Sequence, residues 1–346
     1  MITKDEYFYL ADFIGNSLAK TSLICRGKNL FVRKEVKGDL SLGTDKLKKQ
    51  AEWLINLSPK AKKFFPKIVD YKFEKNFVSY TMIFLKLPTL REVIINSYMD
   101  LPEIVLIFNK ICNFIFNDFF ESKKSKIIRP NYIHDEHLKK MDSRLKATIE
   151  ENVFLKELMR KREVFVNGKK LINYPQIYQD LINDKNFIEA MTPKMFGCVH
   201  GDLTFNNILS DGKNFYFIDP RGESKDDIFY DVGKLLQSSN GKYDLIEKGL
   251  FKTNYSSDSI NFEITQKDNE ALYNLIDSEL WKIFSLNKNI TNTKEWRVKA
   301  LFFETSMFIS LLPFRQKIDS VSTIVCYGVG LSLLNEVYQE WLKLKQ

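Results

Sequence analysis

Short strand-like apolar runs fill the start of the chain, whereas beyond residue 101 apolar positions recur mostly at helical spacing. Tyr7–Ile14 alternates aromatic and aliphatic residues like a strand, and Gly15-Asn16-Ser17 follows as a small-residue loop. Lys20–Arg26 reads as a second strand, Gly27-Lys28-Asn29 as a tight turn and Leu30–Val36 as a third strand. Leu47, Ala51, Leu54 and Ile55 then form one apolar stripe of a helix. Phe77–Phe84 is a further strand, closed off by Leu85-Lys86-Leu87-Pro88. Leu101–Phe120 is apolar on most faces, as a central helix would be. His134–Arg144 and Val153–Arg162 read as charged amphipathic helices, and Tyr178–Ile188 as another. Phe196–Val199 leads into a His-Gly-Asp turn, and Phe215–Ile218 is a short apolar strand.

This order predicts an α+β fold in two lobes. Residues 1–86 would form a small antiparallel sheet with one helix, and residues 87–346 a larger, mainly helical part. A length of 346 residues fits two lobes better than one core. The four cysteines (Cys25, Cys112, Cys198 and Cys326) are scattered, with no C-x-x-C pair, and there are three histidines. A zinc site and a disulfide framework are therefore not expected, and a reducing cytoplasm is. The N-terminus MITKDEYFYLADFIG carries acidic residues and lacks an uncharged apolar core, so no secretory signal is expected. The longest apolar stretches, Leu101–Phe120 and Leu301–Phe314, are interrupted by Glu103, Lys110, Asp118 and Glu304, so no membrane span is expected. The net charge is +8, with Lys and Arg concentrated between Glu121 and Lys170. Acidic residues are interleaved there and no aromatic stacking platform accompanies them. That segment reads as a solvated surface, and no nucleic-acid partner is expected.

The chemistry concentrates in Val199–Gly222, VHGDLTFNNILSDGKNFYFIDPRG. Asp202 stands two residues after His200, Asn207 five after Asp202, and Asp219 ends the apolar strand. Each alone has an ordinary reading, Asp202 as a helix N-cap and Asn207 as a loop hydrogen-bonder. In this order they match the carboxylate that orients an attacking hydroxyl and the amide and carboxylate that hold metal ions on nucleotide phosphates. Gly201 permits a backbone angle that other residues resist, and His200 would orient the loop. Upstream, Lys34 is the candidate for the phosphate-binding lysine and Glu52 for its helix partner. Strand alternation turns Lys34 inward with Val32 and Val36, and Arg33 and Lys37 outward. The loop containing Ser17 could approach phosphate oxygens through its backbone. Backbone groups of Ile83, Phe84 and Leu85 would meet the adenine edge.

HGDLTFNNIL followed by YFIDPRG resembles the aminoglycoside phosphotransferase and choline kinase-like superfamily, in a bacterial small-molecule kinase branch. Eukaryotic protein kinases carry H-R-D and D-F-G instead. The resemblance implies a bilobal protein-kinase-like fold that uses ATP or GTP with Mg²⁺. By position it makes Lys34 the phosphate-binding lysine, Glu52 its partner, Asp202 the catalytic Asp, and Asn207 with Asp219 the metal ligands. Asp226–Leu235 is similar to a family segment whose later Asp braces the catalytic loop, which implies that role for Asp231. The acceptor implied is a small-molecule hydroxyl on an amino alcohol, amino acid or sugar, in a setting such as surface polysaccharide synthesis. The alternatives are a protein-hydroxyl kinase and a catalytically inactive nucleotide-binding scaffold. The phosphate loop has one Gly where protein kinases have three. Asp268, Glu270, Asp277 and Glu279 read as a solvated helix face, not an aminoglycoside site. Arg221 could reach an anionic group or brace the loop.

Overall fold

Five antiparallel strands form at the N-terminal end: β1 (Phe8–Phe13), β2 (Lys20–Arg26), β3 (Asn29–Lys37), β4 (Ile68–Glu74) and β5 (Phe77–Ile83). Their spatial order is β1-β2-β3-β5-β4. The structure is a computed structural model that describes residues 7–13, 19–38, 41–127, 129–223 and 225–346. In β3, Val32, Lys34 and Val36 are buried, and Lys37 on the opposite face is exposed. Register sets Lys34 opposite Thr21 of β2 and Tyr80 of β5. β4 was not anticipated. It is an edge strand and carries Asp70, Lys72 and Glu74, so its alternation is diluted by charge.

Two helices join β3 to β4: α1 (Ser41–Ile55) and the short α2 (Pro59–Lys62), whose first turn is capped by Ser58. Leu47, Gln50, Ala51 and Leu54 of α1 are buried, whereas Glu52 is exposed.

By its contacts the chain forms two units, residues 1–93 with 200–224 and residues 94–199 with 225–346. The sheet's unit thus draws on two stretches of chain. In the second stretch, Ile208–Ser210 and Phe215–Phe217 pair as a small hairpin. Phe217 N–H donates to the Phe64 carbonyl at 2.8 Å. The rings of Phe64 and Phe215 stack at 5.0 Å, so aromatic packing joins the hairpin to the chain after α2.

The other unit is mainly helical. Leu101–Asn113 continues into a widened turn, Phe114–Phe119, and buries Ile104, Ile107, Phe108, Ile111 and Phe116. Two long helices, Trp296–Gln316 and Ser320–Lys345, pack together, and Ile228–Ser239 and Lys139–Glu151 pack on the first. By length and composition Ser320–Lys345 could cross a membrane, but 72% of its apolar window is buried in the fold, as in a core helix. The expected helix Tyr178–Ile188 is two helices, Tyr174–Asn183 and Lys185–Met191. Asp184 breaks the run and caps the second through the Asn186 and Phe187 amides.

A four-stranded sheet in this unit was also not anticipated. Its order is Phe251–Ser256, Ser259–Ile264, Glu163–Val166, Lys169–Ile172, and the middle pair is parallel. The charged helix expected to reach Arg162 ends at Leu158. Asn167-Gly168 makes the hairpin turn, both residues having positive φ. On the helix Lys267–Ser285, Asp277 is not simply solvated: its carboxylate accepts from the Ser239 hydroxyl at 2.8 Å.

Candidate functional site

Site geometry begins with the turn after Val199. Gly201 has φ +78°, and a Cβ there would lie 2.7 Å from the Arg221 Cβ, so the glycine is needed twice over. His200 is fully buried and touches two backbone sites. Nε2 donates to the Ile218 carbonyl at 2.9 Å, and Nδ1 accepts from the Asp202 amide at 3.3 Å. These two bonds define the tautomer. Burial depresses the imidazole to about 4, the Asp202 charge opposing it, so the ring is neutral near pH 7. Arg221 N–H donates to the His200 carbonyl at 2.8 Å, which fastens the second motif to the first.

Asp202 is half-buried beyond this turn. The Asn207 side-chain NH₂ donates to the Asp202 carbonyl at 2.8 Å and to its carboxylate Oδ2 at 2.9 Å. Both amide protons of Asn207 therefore face Asp202, and its Oδ1 turns to the other side. Ile218 N–H donates to the Asn207 carbonyl at 3.0 Å, which ties the loop to the strand that delivers Asp219. Asp219 itself has φ 58°, a left-handed conformation uncommon for a residue with a Cβ. The Lys34 ammonium, 5% exposed as a residue, pairs with the Asp219 carboxylate. Desolvating an ammonium requires such a partner.

The structure thus brings Lys34, Asp202, Asn207 and Asp219 into one connected group within the sheet's unit. It does not bring Glu52 to Lys34. Glu52 lies on the outer face of α1, 3.8 Å from Lys48 one turn earlier. The helix phase that buries Leu47, Ala51 and Leu54 turns position 52 outward. The buried polar residue on that stripe is Gln50, which sequence reasoning passed over. Its Nε2 donates to the Pro220 carbonyl at 2.6 Å, and its Oε1 accepts from the Tyr80 hydroxyl at 2.8 Å. Burial, reinforced by the Asp219 charge, raises the Tyr80 phenol well above its ordinary range, so the hydroxyl remains a donor. A polar residue at i+3 from Leu47 and i−4 from Leu54 was the signal available.

Ser17 lies outside the described residues. At the end of β5, Ile83 N–H donates to the Lys67 carbonyl at 3.0 Å and Phe84 N–H to the Leu30 carbonyl at 3.2 Å. Those two donors are committed to the protein's own backbone. In the other unit, Asp231 is fully buried on Ile228–Ser239. Nearby, Asp226 accepts from the Tyr132 hydroxyl, and Asp227 pairs with buried Lys299 at 2.7 Å. Neither Tyr132 nor Lys299 was foreseen as a partner.

The donor set suits magnesium. The Asp219 carboxylate is 39% exposed, and the Asn207 amide oxygen would offer a second hard oxygen donor. Among the described residues no group of three His, Cys, Asp or Glu side chains is arranged to hold a metal. Two protein oxygens, completed by water and phosphate, is the usual way Mg²⁺ is held.

A solved structure matches over nearly the full length: a Haemophilus somnus 129PT protein provisionally described as a fructosamine-3-kinase. Its TM-score is 0.53 at 9% identity, with 96% of this chain and 92% of that chain covered. The chain has the protein-kinase-like fold. Choline kinase from Cryptosporidium parvum Iowa II aligns with a TM-score of 0.43 at 11% identity, covering 99% of this chain and 90% of that one. Spectinomycin phosphotransferase, in complex with ADP and spectinomycin, aligns at 0.34 and 10% identity, covering 90% and 93%. No protein-family model matches the chain, and no curated protein matches it by sequence.

Proposed function

We propose that this protein is a kinase that moves the γ-phosphoryl group of ATP, or GTP, to a hydroxyl of a small molecule, with Mg²⁺ as cofactor. The observation that carries the reading is the connected group of Asp202, Asn207, Asp219 and Lys34, held by hydrogen bonds from the His200 ring and the Ile218 backbone N–H. Phosphoryl transfer asks mainly for positioning and charge neutralisation, and this group supplies both. Asp202, fixed by Asn207, accepts or orients the acceptor hydroxyl. Lys34 carries the positive charge for the α- and β-phosphates. Asn207 Oδ1 and the Asp219 carboxylate would hold Mg²⁺, which when bound neutralises the phosphate charge. With the Ile83 and Phe84 amides committed to the sheet, the Leu85 amide is the hinge donor we assign to adenine.

Residues 1–86 would serve the nucleotide and residues 87–346 catalysis and acceptor binding. Fructosamine, the substrate in the name given to the Haemophilus protein, is a sugar-derived amine and falls within the acceptor class of amino alcohols, amino acids and sugars proposed here. The four cysteines are all free, in keeping with a cytoplasmic site of action.

The test is Mg²⁺-dependent ATP consumption by the purified protein against a panel of amino alcohols, amino acids, sugars and aminoglycosides. One compound should stimulate turnover, and Asp202→Ala should lower that turnover by roughly 10²–10⁴-fold while leaving nucleotide affinity nearly intact. Near-normal turnover in Asp202→Ala would refute the catalytic assignment.

A further inference from the structure

Asp219 has an unfavourable backbone conformation and must nevertheless hold its carboxylate in a fixed direction. A left-handed non-glycine residue is unfavourable and persists only where its surroundings over-determine it. The surroundings here can be named. On the N-terminal side, Ile218 is held by its N–H to Asn207 and its carbonyl to His200. On the C-terminal side, the Pro220 carbonyl accepts from Gln50 Nε2, and Gly222 lies against the backbone of Gln50 itself. A Cβ at Gly222 would come within 2.9 Å of the Gln50 Cα and N.

Gln50 is in turn oriented by Tyr80. A carbonyl can only accept, so Nε2 must face Pro220. A protonated phenol next to Oε1 donates, so both ends of the amide are specified. Tyr80 is the register partner of Lys34, and Lys34 pairs with Asp219. The contacts therefore close a ring: Lys34, Asp219, Pro220, Gln50, Tyr80 and back to Lys34 across the β3–β5 ladder. No atom of Gln50 is bonded to Lys34 or to the Asp219 carboxylate.

We propose that Gln50 is a positioning residue, which sets the direction of the Asp219 carboxylate through the Pro220 carbonyl and is itself locked by Tyr80. The proposal rests on the reading of Asp219 as a magnesium ligand. It gives the buried polar position of α1 a different task from a helix carboxylate that grips the lysine. A carboxylate at position 50 could not donate to Pro220, so the amide is specifically required.

The test is calorimetric titration of ATP, with and without Mg²⁺, into wild type, Gln50→Leu, Gln50→Glu, Tyr80→Phe and Asp219→Asn, together with thermal unfolding of each. In Gln50→Leu the gain in ATP affinity from Mg²⁺ should shrink by about tenfold or more, the usual effect of removing a residue that orients a metal ligand. Metal-free ATP affinity should stay within about threefold of wild type. Gln50→Glu should resemble Gln50→Leu. Tyr80→Phe keeps the buried ring, guards against a misfolded Gln50 variant, and should show a smaller loss of the same kind. A Gln50→Leu that keeps the Mg²⁺ gain while Asp219→Asn loses it overturns the proposal alone. So does an equal loss with and without Mg²⁺ in folded protein, or a Gln50→Glu that binds as well as wild type. A wild type with no Mg²⁺ gain, unchanged in Asp219→Asn, instead overturns the magnesium reading and this proposal with it.

Discussion

At the scale of single residues, burial fixes the charge state of two groups that frame the site, His200 and Tyr80. His200 is the clearest case, because both ring nitrogens are committed to backbone atoms and the ring is neutral. Its native value of about 4 lies below the ordinary 6.5. Between these values the unfolded chain binds a proton that the native protein refuses. The stabilising effect of neutral His200 is therefore complete above 6.5 and declines as pH falls toward 4. At pH 5 the loss amounts to about 2 kcal/mol. Urea unfolding of wild type and His200→Gln at pH 7.5 and pH 5 checks this. Wild type should lose about 2 kcal/mol more than the variant over that interval, because glutamine has no proton to bind. Equal losses would mean that the native imidazole is protonated at pH 5.

At the scale of elements, the turn Asp219–Gly222 and helix α1 fit backbone to backbone. Gly222 has φ +85° and no room for a Cβ, so Gly222→Ala adds strain and a contact with helix backbone that cannot move aside. We expect a loss of roughly 1–3 kcal/mol in stability and a fall in Mg²⁺-dependent ATP affinity, measured by thermal unfolding and calorimetry. An alanine variant that matches wild type in both would show that the turn is not seated on α1. The same pair of elements marks the limit of what the sequence revealed. Strands β1, β2, β3 and β5 follow from short strand-like apolar runs, and the inward face of Lys34 from alternation along β3. The helix α1 follows from Leu47, Ala51 and Leu54. Glu52 against Gln50 does not, because a stripe read from its apolar members gives no weight to a polar residue riding on it. Charge chemistry favoured the carboxylate, whereas helix phase favoured the amide. β4 was hidden by the charges of an edge strand. The sheet joining residues 163–172 to 251–264 was hidden by short strands and a parallel pairing between distant stretches, which no local period records. Asp202, Asn207 and Asp219 were legible because their spacing is fixed by one loop and one hairpin, while the bond that turns the Asn207 amide toward Asp202 has no signature in spacing.

At the scale of the whole chain, the unit holding the sheet is assembled from residues 1–93 and 200–224, and every residue of the connected group lies in it. Binding that occurs at this group should therefore leave a mark on two separated stretches of sequence at once. A ligand that binds only the native state stabilises it by about 2.7 kcal/mol at one hundred times its dissociation constant. Part of that stabilisation appears as slower amide exchange where local opening would break the site. We expect Mg²⁺-ATP to slow exchange in residues 29–37, around Lys34, and in residues 200–222. The turn amides Asp202, Ile218 and Arg221 should change most, since each is bonded inside the group. The helix Ser320–Lys345 belongs to the other unit and contributes none of these residues, so its exchange should change least. Hydrogen-exchange mass spectrometry with and without Mg²⁺-ATP measures both stretches in one experiment, and Asp219→Asn serves as the control in which the effect should fade together in both. Protection confined to residues 320–345, or protection of one stretch without the other, would place the nucleotide elsewhere and detach Lys34 from Asp219 as partners in one site.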